Sequence, residues 1–322
     1  MMKTILVTGG AGFIGSNFIN WFLKKNRDFT VINLDNLTYA GNPGNLKDVE
    51  SSPGYRFIKG DICDAVLVNE VMERYKPDYI VNFAAESHVD RSISNPLVFA
   101  QTNIIGVAVL LDTAYRLWGK SGFDGKCFVQ VSTDEVYGSI GHEGVPFSEE
   151  SPLLPNSPYS ASKASADLLV RSFVKTYRFP AIITRCCNNY GPCQYTEKFI
   201  PTCITNALRN EPIPVYGDGT NIREWIHVLD HCEAIARALF EGKTGEIYNI
   251  GSGEELSNID LAKIILNCLH KPQDLIRMVS DRPGHDFRYA LNSGKAKRIL
   301  GWACKYKFDE GIQDTVNWYE NS

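Results

Sequence analysis

Tyr159 and Lys163 stand four residues apart in Tyr-Ser-Ala-Ser-Lys, a run preceded by Pro155 and Pro158 that reads as the start of a helix. At that spacing the phenol and the ammonium share one helix face. A cation beside a phenol lowers its pKa from about 10 toward neutrality, so the phenolate can take a proton from a hydroxyl. Earlier in the chain, Val131-Ser132-Thr133-Asp134-Glu135-Val136-Tyr137-Gly138 closes an apolar run with a hydroxyl and two adjacent carboxylates. Burial and like charge raise at least one pKa of such a pair. One carboxyl is then an acid and the other a base, the division that loss of water requires. Both patterns have plainer readings. Tyr and Lys at this spacing are common on helix surfaces, and an acidic loop capped by Thr133 can be merely solvated.

A third pattern gives the first two a context. Thr4–Ser16 reads TILVTGGAGFIGS, an apolar run entering Gly9, Gly10, Gly12 and Gly15 with a helical pattern straight after. Glycine suits a turn that is tight, whose backbone approaches a pyrophosphate and whose helix packs closely on the strand. The diphosphate then sits at the helix N-terminus, where free N–H groups and the macrodipole favour negative charge. The next apolar run ends in Asp35, twenty residues past Gly15. A carboxylate there accepts bonds from the adenosine ribose hydroxyls and repels a 2′-phosphate, which predicts NAD rather than NADP. Asp61-Ile62, after the third run, either binds the adenine edge or caps a helix.

The elements that must position these groups alternate regularly through the first 180 residues. Strands are expected at Thr4–Thr8, Phe29–Leu34, Tyr55–Lys59, Tyr79–Phe83, Cys127–Ser132 and Ala181–Arg185, each short, apolar and bounded by turn residues. Between them Ser16–Lys25, Ala65–Arg74 and Val98–Trp118 have helical length and period. This is the alternation of an α/β, Rossmann-type doubly wound parallel sheet of six strands, whose ligands bind at the strands' carboxyl edge. After about residue 190 prolines and glycines become frequent, with strands expected at Ile213–Tyr216 and Ile247–Ile250 and helices at Val228–Leu239 and Ile259–Leu269. The chain therefore divides into a cofactor-binding domain, residues 1–190, and a smaller C-terminal substrate lobe, 191–322, with some segments returning to the first domain.

Composition narrows the partners. The 322 residues are 44% hydrophobic and 22% charged, as in a soluble globule, and the net charge of −4 argues against general attraction to nucleic acid. No apolar stretch approaches the ~20 residues that cross a bilayer, and Lys3 leads straight into a strand without a signal-peptide pattern, so a cytoplasmic location is expected. Nine scattered cysteines include no C-x-x-C pair, which favours buried reduced thiols over disulfides or a zinc site; no metal is expected.

TGGAGFIGS, Asp35, Asp61, Tyr-x-x-x-Lys and NNYGP (Asn188–Pro192) together resemble the extended short-chain dehydrogenase/reductase superfamily. Within it, FAAESHVDRSI (Phe83–Ile93), STDEVYG (Ser132–Gly138), EKFIP (Glu197–Pro201) and RPGHD (Arg282–Asp286) resemble the dTDP-glucose 4,6-dehydratases, lyases of deoxysugar biosynthesis. The likeness covers nearly the whole chain, and Thr-Asp-Glu is its most specific element. It implies that Tyr159, aided by Thr133 and Lys163, removes the sugar 4-hydroxyl proton as hydride passes from C4 to NAD. Glu135 then takes the C5 proton, Asp134 protonates the departing 6-hydroxyl, and hydride returns to C6. The cofactor contacts it implies are Gly9, Gly12, Phe13, Ile14, Gly15, Asp35, Asn36, Asp61, Ile62, Ala84 and Ala85, with Tyr159 and Lys163.

For a nucleotide-diphosphate hexose it implies Glu86, Ser87, Asn188, Asn189, Lys198, Phe199, Tyr216, Arg223, Asn258, Arg282 and His285, the two arginines on the pyrophosphate. Tyr216 reads equally as core, Lys198 can be a surface charge, and His88 and His227 read as structural. A homodimer is implied, through a four-helix interface of Val98–Trp118 and Tyr159–Tyr177 with their copies. Cys186, Cys187 and Cys193 stand where serine, alanine or aromatic residues are more usual, and Asn42-Pro43-Gly44 loosens the segment after the second strand. They leave open thymidine against uridine and a hydroxyl against an acetamido group at C2. A UDP-N-acetylglucosamine or UDP-glucose 4,6-dehydratase is one alternative, and a UDP-hexose 4-epimerase, which has no use for the acid pair, is another. A non-catalytic NAD-sensing scaffold is a third, though such proteins commonly lose the tyrosine or lysine present here.

Overall fold

The computed structural model describes residues 2–321; Met1 and Ser322, the outer ends of the two expected domains, lie outside the described residues. Strands run at Lys3–Thr8 (β1), Phe29–Asp35 (β2), Tyr55–Lys59 (β3), Tyr79–Asn82 (β4), Cys127–Thr133 (β5), Ala181–Cys186 (β6), Asn188–Tyr190 (β7), Ile213–Tyr216 (β8), Ile222–His227 (β9), Ile247–Ile250 (β10), Glu255–Ser257 (β11) and Ile276–Val279 (β12). β1–β6 and β10 form one sheet in the order β10-β6-β5-β4-β1-β2-β3, every pair parallel. It has seven strands, not the expected six, because β10 leaves the C-terminal half and pairs with β6 in register Ile247↔Ile183.

The continuous apolar runs are explained by burial on both faces. Ile5, Val7, Val31, Val129 and Val131 point into one core, while Leu6, Ile32, Leu34, Ile80 and Phe128 point into the other. That alternation is the period of two that a pleated strand imposes. Strand order reverses between β1 and β4, and β1 runs into Gly9 at this switch point, where the crevice of a doubly wound sheet opens.

The smaller lobe has its own core, built from residues such as Ile200, Ile204, Ile213, Trp225, Leu261, Ile265 and Ile312. Its strands are β9, parallel to β7 and antiparallel to β11, and the parallel pair β8 and β12. β9 and β12 were not expected. In β9 the charges of Arg223 and Glu224 break the apolar pattern, yet both side chains are buried. Glu224 is satisfied there by the N–H groups of Gly253 (2.6 Å) and Leu291 (2.8 Å).

The expected helix Val98–Trp118 is longer and less regular than its sequence suggests. It begins at Pro96–Ala100, passes through a π-helical turn at Gln101–Gly106 and continues as Val107–Gly119. Joined, these give 24 residues with an 18-residue window of mean hydropathy 1.6, by length and composition alone enough to cross a membrane, where no such stretch was expected from the sequence. Leu110, Leu111, Ala114 and Trp118 of this helix are buried in the second sheet core, which accounts for their apolar character.

Candidate active site

The glycine turn is a cradle with no room for side chains. A Cβ on Gly9 would stand 2.5 Å from the Ala84 nitrogen, and one on Gly15 would stand 2.3 Å from the Gly9 oxygen. Gly9 also has φ +69°, a left-handed conformation that glycine adopts freely. The helix Phe13–Lys25 starts there with no side-chain cap and no acidic residue in its first turn, so its N–H groups face the crevice unclaimed. Asp35, at the end of β2, is buried and accepts from Ala11 N (2.8 Å) and Leu37 N (2.7 Å). Burial pushes its carboxyl upward against those two bonds. Each oxygen keeps a further lone pair for a ribose hydroxyl. Asp61 accepts from Cys63 N (2.8 Å) and Asn36 Nδ2 (3.0 Å), and Asp64 caps the following helix instead. Of the two readings of Asp61, the cap is thereby removed.

One cleft of about 340 Å³ collects all of the expected cofactor contacts, together with Thr133, Asp134, Glu135, Glu86, Ser87, Asn188, Asn189, Lys198 and Phe199. β5 delivers the acid pair. Thr133 ends the strand and caps a 3₁₀ turn, Asp134–Tyr137, by accepting from Glu135 N at 3.3 Å. The cap foreseen for Thr133 exists, but the turn is not solvated: Asp134 is 1% exposed. Thr133 Oγ1 donates to Asp134 Oδ1 at 3.1 Å, and Asp134 Oδ2 is buried without a hydrogen-bond partner. Burial, then the charges of Glu135 and Glu224, push the Asp134 carboxyl well above the usual range. Burial also raises Glu135, but Arg282, Arg223 and Lys198 pull it back down. The two neighbours are therefore held apart, Asp134 pushed up by burial and like charge and Glu135 by burial against three cations.

Tyr159 and Lys163 enter from the helix Pro158–Tyr177, whose start is fixed by a reciprocal box. Ser157 Oγ accepts from Ser160 N, and Ser160 Oγ accepts from Ser157 N, each at 3.0 Å. The phenol's shift runs opposite to the lowering expected from a neighbouring Lys163. Lys163 Nζ donates to Val131 O at 2.8 Å, and burial, with Glu135, Cys186 and Asp134 adding to it, pushes the Tyr159 phenol well above its ordinary value. Burial lowers Lys163 in turn. Beneath them Arg185 pairs with Asp167 at 2.8 Å and donates to Tyr137 Oη at 2.8 Å, and Tyr137 Oη donates to Asn249 Oδ1 at 2.8 Å. This buried chain ties β6, β10 and the Tyr159 helix to the acid turn.

Asn103, which sequence reasoning missed, sits on the π-helical turn. Its amide accepts from Glu86 N (2.9 Å) and donates to Glu86 O (2.9 Å) and Ser162 Oγ (2.8 Å), holding the Glu86 segment to the tyrosine helix. An extra residue in a helix turn leaves no sequence signal, although such turns often mark functional sites. Thr38, Gln194, Tyr195, Glu197 and Trp225 also line the cleft unforeseen. The acidic character of Glu197, inside the EKFIP motif, was the available signal.

The remaining expected residues gather outside the cleft lining. Tyr216 donates to Asp90 at 3.1 Å, the Arg282 guanidinium lies 5.9 Å from the Tyr216 ring centre and 3.5 Å from Asp90, and His285 meets Asp281 at 2.6 Å. Arg223 is buried against the Tyr289 ring at 4.4 Å and donates to Asp286 O at 2.9 Å. Asn258 opens the helix Asn258–Cys268. Lys198 is no surface charge: its Nζ donates to Ser87 O at 2.7 Å. Asn189 is tied at both ends of its amide, to His231 Nδ1 at 2.8 Å and to Cys187 O at 3.0 Å. His227 caps the helix Val228–Glu241 and stacks on Tyr306, consistent with a structural part. Cys186 and Cys187 line the cleft as buried thiols, Cys186 pushed up to about 12. Among the described residues no group of three His, Cys, Asp or Glu side chains is placed to hold a metal ion.

A family model described as GDP-mannose 4,6 dehydratase matches residues 6–315, nearly the full length. The chain belongs to that family. Several known proteins resemble it closely from end to end. It is 48% identical to the dTDP-glucose 4,6-dehydratase of Xanthomonas campestris pv. campestris (strain B100), over 99% of this chain and 93% of that protein. It is 50% identical to the low-salt glycan biosynthesis protein Agl12 of Haloferax volcanii, over 98% of both. Among solved structures, the dTDP-glucose 4,6-dehydratase DesIV of Streptomyces venezuelae, crystallised with NAD, superposes with a TM-score of 0.94 at 48% identity, covering 99% of this chain and 98% of that one. The resemblance and the fold class expected from the motifs are borne out.

Proposed function

We propose that this family member is an NAD-dependent nucleotide-sugar 4,6-dehydratase whose substrate is dTDP-glucose. The observation that carries the reading is the convergence of Thr133, Asp134 and Glu135 with Tyr159 and Lys163 on one cleft that also holds the glycine cradle. The names of the Xanthomonas and Streptomyces relatives supply the substrate. NAD fits the residues present: the cradle excludes side chains, the helix N-terminus is uncapped, and Asp35 keeps acceptor capacity for a ribose. Bound there, NAD supplies a hydride acceptor for C4 of the hexose and a hydride donor for C6.

The chain's own groups divide the remaining work. Tyr159 takes the 4-hydroxyl proton, and Thr133, which acts to lower the phenol, holds that hydroxyl in place. The phenol is pushed up within the cleft, so positive charge brought in with the ligands must pull it down again before it can act as a base. Once C4 is a ketone, the C5 proton is acidic, and Glu135 removes it. Asp134, held protonated by burial, donates to the departing 6-hydroxyl. Arg223 and Arg282, whose charges act on Glu135, supply the positive potential that a diphosphate needs, with Tyr216, Asn258 and His285 beside them.

We assign cofactor binding to residues 1–190 with β10 added, and the sugar nucleotide mainly to 191–322. Leu97, Val98 and Ile105 on one helix and Leu168 on the other are exposed, which supports a homodimer through those helices. All nine cysteines are free, in keeping with a reducing, cytoplasmic setting. Incubation with dTDP-glucose and NAD tests the reading. A 4-keto product lighter by one water supports it, and an unchanged mass with inverted C4 would replace it with epimerisation.

A further inference from the structure

The connection from β7 to the helix Phe199–Leu208 is fastened on both sides of the cleft that it lines. On the cofactor side, Asn17 of the glycine-motif helix donates to Pro192 O at 2.9 Å. The Tyr39 ring, four residues past Asp35, meets the Tyr195 ring edge-on at 5.7 Å. On the sugar side, Lys198 donates to Ser87 O at 2.7 Å, and His88 lies 4.0 Å from Glu197. Tyr39 also carries the Arg91 guanidinium 3.8 Å from its ring centre, and the charge of Glu197 acts on its hydroxyl. One side chain thus touches the strap, the cofactor-side loop that bears it and the sugar-side helix.

We propose that Tyr39 is a positioning residue that latches the strap Gly191–Lys198 over the cofactor and keeps it bound from one hydride transfer to the next. The inference rests on the dehydratase reading. Hydride taken from C4 must return to C6 of the same sugar, so a reduced cofactor that escapes leaves a stranded ketone. Burial, then the charges of Glu197 and Glu86, push the phenol up to about 12, so at neutral pH the ring meets Tyr195 and Arg91 uncharged. Arg91, exposed beside the ring, adds a cation–π contact that closes the latch from outside.

The test loads the full protein with NAD and follows its release after rapid desalting, together with free NADH appearing at 340 nm (about the usual nicotinamide band) during turnover. Tyr39→Ala is expected to release NAD ~tenfold faster, since such contact losses appear mainly in the off-rate. Tyr39→Phe, which keeps the ring contacts, stays close to the parent, and excess NAD restores C4 oxidation in Tyr39→Ala, whereas ketone already stranded is reduced only when NADH is added. An off-rate unchanged in Tyr39→Ala, or C4 oxidation that excess NAD does not restore, overturns the proposal. If Tyr39→Ala does not fold, Arg91→Gln must show the faster release, and an unchanged off-rate there overturns it equally. A parent that takes up no NAD at all refutes the dehydratase reading itself, an outcome separate from any difference among variants.

Discussion

Replacing Asp134 by asparagine separates what the acid does for chemistry from what it does to stability. The carboxyl is buried, its Oδ2 has no partner, and burial with two nearby carboxylates holds its pKa well above the ordinary value. A raised carboxyl binds its proton more tightly folded than unfolded. Stability is therefore lost as pH rises from the unfolded pKa, about 4, up to the folded one, at about 1.4 kcal/mol per unit of rise. A neutral amide in its place carries no such loss, so Asp134→Asn should be at least as stable as the parent at neutral pH, with a flatter dependence of Tm on pH above ~4. Activity should move the other way. Loss of a general acid costs ~10²–10⁴-fold, and here it should fall on water loss rather than on oxidation at C4. The assay pairs thermal melts across pH with product analysis from dTDP-glucose. A variant that melts well below the parent at neutral pH, or that still dehydrates within tenfold of it, would refute the reasoning.

Three further outcomes follow from the same geometry. Tyr159→Phe keeps the ring contact with Phe99 but removes the base, so kcat should drop ~10²–10⁴-fold with no C4 ketone formed, read by mass and by NADH absorbance. Gly15→Ala drives a Cβ to 2.3 Å from the Gly9 oxygen, and NAD uptake measured by calorimetry should fall along with stability by ~1–3 kcal/mol. Asp167→Ala strands the buried Arg185 guanidinium at the base of the acid turn. A loss of ~3–5 kcal/mol in chemical denaturation is expected, and a loss below ~1 kcal/mol would show the charge finding another partner.

The parts that could be read from sequence are those whose meaning is local. The glycine turn, Asp35, the Thr-Asp-Glu turn and the Tyr-x-x-x-Lys pair each carry their chemistry within a few residues, and the structure brings all of them to one cleft. What could not be read depends on distant partners. The strand β10 looks like any short apolar run until β6 claims it as the seventh strand of the sheet. The strand β9 hides behind Arg223 and Glu224, charges that are tolerated inside because Asp286 O and the N–H groups of Gly253 and Leu291 satisfy them. Asn103 needs a π-helical turn to reach Glu86, and Tyr39 needs Arg91 and Tyr195 beside it. The direction of the Tyr159 shift was misjudged for the same reason: Lys163 gives its proton donor to Val131 O, and burial dominates.

On the proposed function, hydride leaves C4 and returns to C6 of one sugar inside this cleft. It is tested by dTDP-glucose deuterated at C4, turned over with NAD far below the substrate concentration. A 4-keto-6-deoxy product with the deuterium at C6 and the NAD unconsumed is expected. Deuterium recovered at C4, or lost to added unlabelled NADH, would contradict it.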